Sequence, residues 1–278
     1  MVFGSGHTHH SPLEHAVTAL FVPGDRPERF EKTAQSGAGF IILDLEDAVA
    51  EDRRGIALDA VVRAIASGLT AAVRVVAADN PAHSQQLACL RATPPAGIML
   101  PKCQAAEDIV EVRDAVGADV PIIALIETAR GVFNASAIAA APGVARLAFG
   151  AFDYTLDVDG DAPWLLGHAR ANIVIASRVA GIAAALDSPT AEFQDLRVVE
   201  SAASAARNGG FSGQLCIHPA QVPVVERAFS PTAAQIANAR DIIKVADGVA
   251  EVNGQMVDRP VIEKARRILQ QVQSREAL

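Results

Sequence analysis

Eight short apolar, β-prone runs alternate with helical stretches along this 278-residue chain, and that alternation predicts a (β/α)8 barrel. Two further observations support it. The runs are hydrophobic almost throughout instead of at every second residue, which marks parallel strands buried on both faces. No GxGxxG turn follows the first run, which argues against a doubly wound open sheet.

The strands are expected at 17–22 (VTALFV), 40–45 (FIILDL), 71–76 (AAVRVV), 97–100 (GIML), 121–126 (PIIALI), 145–150 (ARLAFG), 182–186 (IAAAL) and 214–218 (QLCIH). Helical stretches at 53–67, 81–92, 104–116, 162–180 and 194–208 lie between them. Half the residues are apolar and only 4% aromatic, so Ala, Val, Leu and Ile must fill the core. Residues 1–16, with "GSGHTHHSP", are expected to be a flexible tail in which His7, His9 and His10 bind nothing in particular. The barrel is expected over 17–229. Residues 230–278 carry two more helical patterns, 232–250 and 260–272, and form a C-terminal helical extension or lid.

Composition excludes several functions. The net charge is −8 with no Lys/Arg block, which is wrong for a nucleic-acid partner. Three cysteines without CxxC spacing give neither a disulfide framework nor a zinc site. The longest apolar stretch, "IVIASRVAGIAAAL", is interrupted by Arg178, so no membrane span is expected. With no signal-peptide pattern at the start, a cytoplasmic location is expected. "DVDGDA" (157–162) is not a calcium loop, because its glycine comes fourth and the twelfth position is His168.

Chemistry in such a barrel belongs at the C-terminal strand ends. Strand two ends in Asp44-Leu45-Glu46-Asp47, strand three carries Arg74, and strand four runs into Pro101-Lys102. Strands five to eight deliver Glu127, Asp153, Asp187 and His218. Glu127 and Asp153 are one βα unit apart, so the barrel would bring two carboxylates together on neighbouring strands, about 4.8 Å apart. Such a pair suits Mg²⁺, which takes one or two protein carboxylates and keeps several waters. Pairing of each acid with a cation or a helix N-terminus is the alternative. Arg74 must carry its guanidinium out of the core at a strand end, towards a substrate carboxylate or towards Asp44 and Glu46. A lone His218 before Pro219 reads first as a hydrogen-bonded structural residue.

Taken together, "LFVPGDRPERF" (20–30), "IILDLEDAV" (41–49), "VR" (73–74), "IMLPK" (98–102), "ALIETARG" (124–131), "FGAFD" (149–153), "CIHPAQV" (216–222) and "GQMVDRP" (254–260) resemble the citrate lyase beta-subunit-like proteins of the HpcH/HpaI aldolase family. The matches run in family order over almost the whole chain. The resemblance implies a (β/α)8 barrel that binds Mg²⁺ through Glu127 and Asp153. It implies that Arg74 holds the carboxylate of a small oxo acid, and that Glu127, Ile217 and His218 line the substrate site. Arg26 and Arg29, near the first βα turn, become candidates for coenzyme A phosphates. Asp258 is matched to an aspartate that reaches a neighbouring subunit's active site within a trimer, so a homo-oligomer, trimer or hexamer, is expected.

The implied activity is Mg²⁺-dependent carbon–carbon cleavage of a malyl-CoA or citramalyl-CoA type thioester to acetyl-CoA and a 2-oxo acid. Asp258 and Arg74 would be its catalytic residues. Two alternatives keep the barrel: a citrate lyase beta-like subunit acting on an acyl-carrier partner, and a class II pyruvate aldolase acting on a free hydroxy-oxo acid. The chain departs from the common pattern at Val17-Thr18 (often Arg-Ser), at Val76 (commonly Asn) and at Phe152 (usually an acid or amide). These changes give the site a more apolar wall.

Overall fold

The computed structural model describes residues 12–244, 250–252 and 255–276. The chain divides into two compact units, 1–228 and 229–278. The first opens with a short helix, α1 (Pro12–His15), followed by eight strands: β1 (Thr18–Pro23), β2 (Phe40–Asp44), β3 (Ala72–Arg74), β4 (Gly97–Leu100), β5 (Ile122–Ile126), β6 (Val144–Phe149), β7 (Ala183–Asp187) and β8 (Gly213–Cys216). Between and after them run α2 (Phe30–Ala34), α3 (Arg54–Ala66), α4 (His83–Ala92), α5 (Ala106–Val116), α6 (Ala129–Ala139), α7 (Ala151–Asp157), α8 (Pro163–Ala180), α9 (Leu196–Asn208) and α10 (Val222–Phe229).

All eight strands are parallel and each pairs with the next; β8 returns to β1 and closes the cylinder. The interior is filled by side chains from every strand, including Ala19, Ile42, Ala72, Met99, Ile123, Ala148, Leu186 and Leu215. Mixing Ala with larger residues lets the layers interdigitate. Strands buried on both faces explain why the sequence runs are continuously apolar.

The floor of the barrel corrects one expectation. Residues 12–16 fall in the stretch 1–16 expected to be flexible, yet α1 is helical and Leu13 is 1% exposed. Leu13 and Ala16 join the interior cluster and plug the cylinder from below. Gly97 makes room for this plug: a Cβ there would collide with Leu13 Cδ1. Residues 1–11, with His7, His9 and His10, lie outside the described residues.

The other expected strand and helix boundaries of the barrel move by one or two residues, and one of these shifts is informative. Strand three, expected at 71–76, stops at Arg74. No described helix is long and apolar enough to cross a membrane.

The second unit holds α11 (Ala233–Lys244), an antiparallel hairpin of β9 (Ala250–Val252) and β10 (Gln255–Val257), and α12 (Arg259–Glu276). Ala239, Ile242, Val257 and Ala265 form its small core. The helix expected over 232–250 ends by Lys244, and Ala250 is already in a strand. The β-branched Val257 favours that pairing.

Candidate active site

The mouth of the barrel is built from the ends of β2, β3, β4, β5 and β6. Asp44 and Arg74 are Cα partners across β2 and β3, so their side chains meet directly. Asp44 accepts from Arg74 Nε at 2.7 Å and from Nη2 at 2.6 Å, a bidentate fork. The same carboxylate also accepts from the backbone N–H groups of Glu46 and Ala48, both at 3.0 Å. Asp44 is therefore saturated and structural. Arg74 Nη1 donates to Asp47 at 3.2 Å and lies 3.4 Å from Glu46 Oε2, and the guanidinium rides over the Phe21 ring at 4.7 Å. Burial alone would lower the proton affinity of Arg74, but the bonds and charge of Asp44, then Glu46 and Asp47, reverse this and raise it. The second N–H of Nη2 has no acceptor among the described residues.

The Glu46 carboxylate is buried and accepts no hydrogen bond among the described residues. Its Oε2 is near Arg74 without bonding geometry, and Oε1 is 3.8 Å from Lys102 Nζ. Burial pushes its carboxyl up to about 7, only partly offset by Arg74.

Glu127 directly follows β5, and Thr128 then caps α6 by accepting from the Gly131 N–H at 3.0 Å. The acid thus sits between the last strand residue, Ile126, and the helix cap, Thr128, which fixes the carboxylate at the mouth. Glu127 is 2% exposed and accepts one hydrogen bond, from the backbone N–H of Lys102 at 2.8 Å. Burial, then the charge of Asp153, then that of Glu46, push it up to about 8.

Lys102 makes its bond from a left-handed backbone, φ +48°, a strained conformation for a residue with a side chain. Its ammonium is kept protonated by Glu46, Asp153, Asp47 and Glu127 against partial burial. Gly150, after β6, lies against Glu127: a Cβ would come within 2.7 Å of Glu127 Cβ and collide with Oε2. Asp153 follows in the first turn of α7, half-buried.

Glu127 and Asp153 are thus brought into mutual influence, and neither forms an ion pair among the described residues. The described residues contain no group of three or more His, Cys, Asp or Glu that could hold a metal. Two carboxylates, one with a raised proton affinity and close to an unbonded third, instead match the donor set of a hard cation that keeps most of its waters. Glu127 and Asp153 could hold Mg²⁺.

The remaining sequence candidates are placed differently. Asp187 pairs with Arg170 at 2.9 and 3.0 Å and accepts from the Ser188 N–H, so it is a structural ion pair rather than a free acid. His218 caps the turn that follows β8: its Nδ1 accepts from the Ala220 N–H at 3.2 Å and its ring stacks on Phe193 at 4.8 Å. Ile217 beside it is 44% exposed. Arg26 and Arg29 are exposed at the first βα turn. Asp258 belongs to the second unit, where it is exposed and caps α12 by accepting from the Val261 N–H at 3.2 Å. Lys102 and Gly150 carry more of the geometry than the sequence signalled. The "PK" after strand four was visible, but its left-handed backbone was not.

The profile of the HpcH/HpaI aldolase/citrate lyase family matches residues 17–219. The chain belongs to that family. A "Citrate lyase subunit beta-like protein" of Deinococcus radiodurans is 36% identical, the match covering 91% of this chain and 95% of the relative. A "(3S)-malyl-CoA thioesterase" of Cereibacter sphaeroides is 30% identical over 91% of this chain and 93% of the relative. Among solved family structures, the CitE protein of Mycobacterium tuberculosis in complex with magnesium, acetoacetate and coenzyme A superposes with a TM-score of 0.84 at 33% identity. That superposition covers 92% of this chain and 98% of CitE.

Proposed function

We propose that this chain is a Mg²⁺-dependent carbon–carbon lyase that cleaves a 3-hydroxyacyl-CoA thioester of the malyl-CoA or citramalyl-CoA type to acetyl-CoA and a 2-oxo acid. The observation that carries the reading is the Glu127–Asp153 pair, two carboxylates just beyond the ends of neighbouring strands with no cation bonded to either among the described residues. The family relative crystallised with magnesium and coenzyme A supports it.

Glu127 and Asp153 would hold Mg²⁺, which supplies a Lewis acid where the substrate hydroxyl must lose its proton. The remaining N–H of Arg74 Nη2 would hold the carboxylate of the oxo-acid portion, fixing its orientation. Arg74 cannot wander, because Asp44 grips two of its nitrogens. After cleavage, Asp258 of a second copy would protonate the thioester α-carbon, and in the condensation direction it would remove that proton. Ile217 and His218 would line the substrate channel, and Arg26 and Arg29 would meet the phosphates of coenzyme A from the exposed first turn. The reading requires a homo-oligomer, trimer or hexamer. Exposed Phe133, Leu156 and Trp164, on α6, α7 and α8, are the large apolar side chains such an assembly would cover.

The test is a thioester panel, malyl-CoA and citramalyl-CoA, assayed with Mg²⁺ and with EDTA on the native chain and on Glu127→Ala. Acetyl-CoA with glyoxylate or pyruvate is expected from the native chain with Mg²⁺ alone. Undiminished cleavage in EDTA or by Glu127→Ala overturns the mechanism, and free coenzyme A as the sole thiol product makes the enzyme a thioesterase.

A further inference from the structure

The chain leaves the barrel wall at β3 earlier than its apolar run implies. The Val75 N–H still reaches the Met99 carbonyl at 3.3 Å. Val76, 1% exposed, finds no strand partner. Both of its peptide groups are taken by side chains of α4 instead. The Val76 N–H donates to Gln86 Oε1 at 2.9 Å, and the Val76 carbonyl lies 2.7 Å from His83 Nδ1. A carbonyl only accepts, so Nδ1 carries the proton and the ring has one tautomer.

His83 and Gln86 are 2% and 1% exposed. Burying two polar side chains to serve the backbone of one residue is costly compared with filling the same space with leucine. The second ring nitrogen of His83, Nε2, and the Gln86 amide nitrogen, Nε2, have no partner among the described residues. What this arrangement secures is the backbone position of one residue, Val76, two residues beyond Arg74. Residue 76 itself, a valine, offers no polar side chain for the purpose.

We infer that His83 and Gln86 are positioning residues for Arg74. The Arg74 carbonyl is held from one side by the Leu45 N–H at 2.9 Å. From the other side the clamp on Val76 stops the strand end from peeling away from α4. The Arg74 Cα is fixed between these two anchors, and the height of its fork above Phe21 and beside Asp44 follows. The inference deepens the proposed function, since it rests on Arg74 meeting an oxo-acid carboxylate.

The experiment uses the full chain and three variants: His83→Leu, Gln86→Met and His83→Asn, whose amide replaces the Nδ1 donor. Calorimetry measures pyruvate and glyoxylate binding in Mg²⁺ buffer, and Mg²⁺ binding alone. Nitrogen-15 spectra follow proton exchange at Arg74 Nε, assigned by its loss in Arg74→Lys. His83→Leu and Gln86→Met are expected to weaken oxo-acid binding by about tenfold or more and to speed Nε–H exchange. Mg²⁺ affinity should stay within about twofold, and His83→Asn should restore oxo-acid binding to within about threefold. Unchanged oxo-acid binding and unchanged exchange in both variants overturn the inference, as does an equal loss of Mg²⁺ affinity. Should His83→Leu not fold, the volume-conserving Gln86→Met carries the same test. If the native chain binds no oxo acid, the functional reading fails, while Nε–H exchange still decides the positioning role.

Discussion

Two arginines are buried in the barrel, one at each end, and they are held by opposite means. Arg146, on β6 near the floor, is fully buried and meets no carboxylate. Its Nε donates to the Ala184 carbonyl at 2.6 Å, Nη1 to the carbonyls of Ala16 at 2.7 Å and Leu13 at 3.2 Å, and Nη2 to Ser212 Oγ at 2.6 Å. Burial pulls it down to about 9, still charged at neutral pH. Arg74, at the mouth, is surrounded by Asp44, Glu46 and Asp47. Neutral acceptors fix geometry without answering charge, which is enough for a floor. The mouth instead collects more negative charge than its two cations, Arg74 and Lys102, can balance, and that surplus supports a cation-dependent role.

Removing each arginine sharpens the contrast. Arg74→Met should lower turnover by about a thousandfold and destabilise the fold at pH 8, where Asp44 and Glu46 are left unpaired. Thermal melts should recover part of that loss at pH 5, where the Glu46 carboxyl, raised to about 7, is protonated. Arg146→Met removes the donors to the Leu13, Ala16 and Ala184 carbonyls, of which Ala184 still accepts from Ser212 Oγ at 2.7 Å, and should cost about 3 kcal/mol of stability with kcat per folded molecule unchanged. A normal melting temperature with lost activity in Arg146→Met would break the comparison. Gly150→Ala pushes its methyl into Glu127 and should cut kcat/KM about a hundredfold while moving the melting temperature little.

The mildest change tests the surplus charge itself. The Glu46 carboxyl is raised from 4.5 to about 7 in the folded chain, so the folded state binds its proton more tightly than the unfolded state does. Its contribution is fully present below pH 4.5 and is lost as pH rises through 7, a loss on the order of 3 kcal/mol. Glu46→Gln should therefore be more stable than the native chain at pH 8 and should flatten the melting profile between pH 4.5 and 7. Equal pH profiles would show that Arg74 and Lys102 already balance Glu46.

The roof of this barrel was more legible in the sequence than its floor. Buried parallel strands advertise themselves as apolar runs, and an acid that ends such a run, as Glu127 does, is conspicuous. Arg146, within "VARLAF", gives no local signal, because its acceptors come from residues 13, 16, 184 and 212. The helix α1 hides behind a polar, histidine-rich start. Strand three looked long because Val75 and Val76 are apolar, whereas its length is set by His83 and Gln86 on a helix. Asp187 resembled its neighbours at the other strand ends until Arg170 was seen to claim it.

The plug beneath the cylinder also orders events in time. Leu13 and Ala16 are translated first, yet Arg146 and Ser212, which complete their surroundings, are separated from them by most of the polypeptide. The first strand likewise waits for its last neighbour, since Thr18 pairs with Gln214. A nascent chain stalled before residue 212 should thus leave its beginning open to protease, and a chain released past residue 216 should shield it. Early protection would show that the opening helix finds another shelter while the ribosome is still at work.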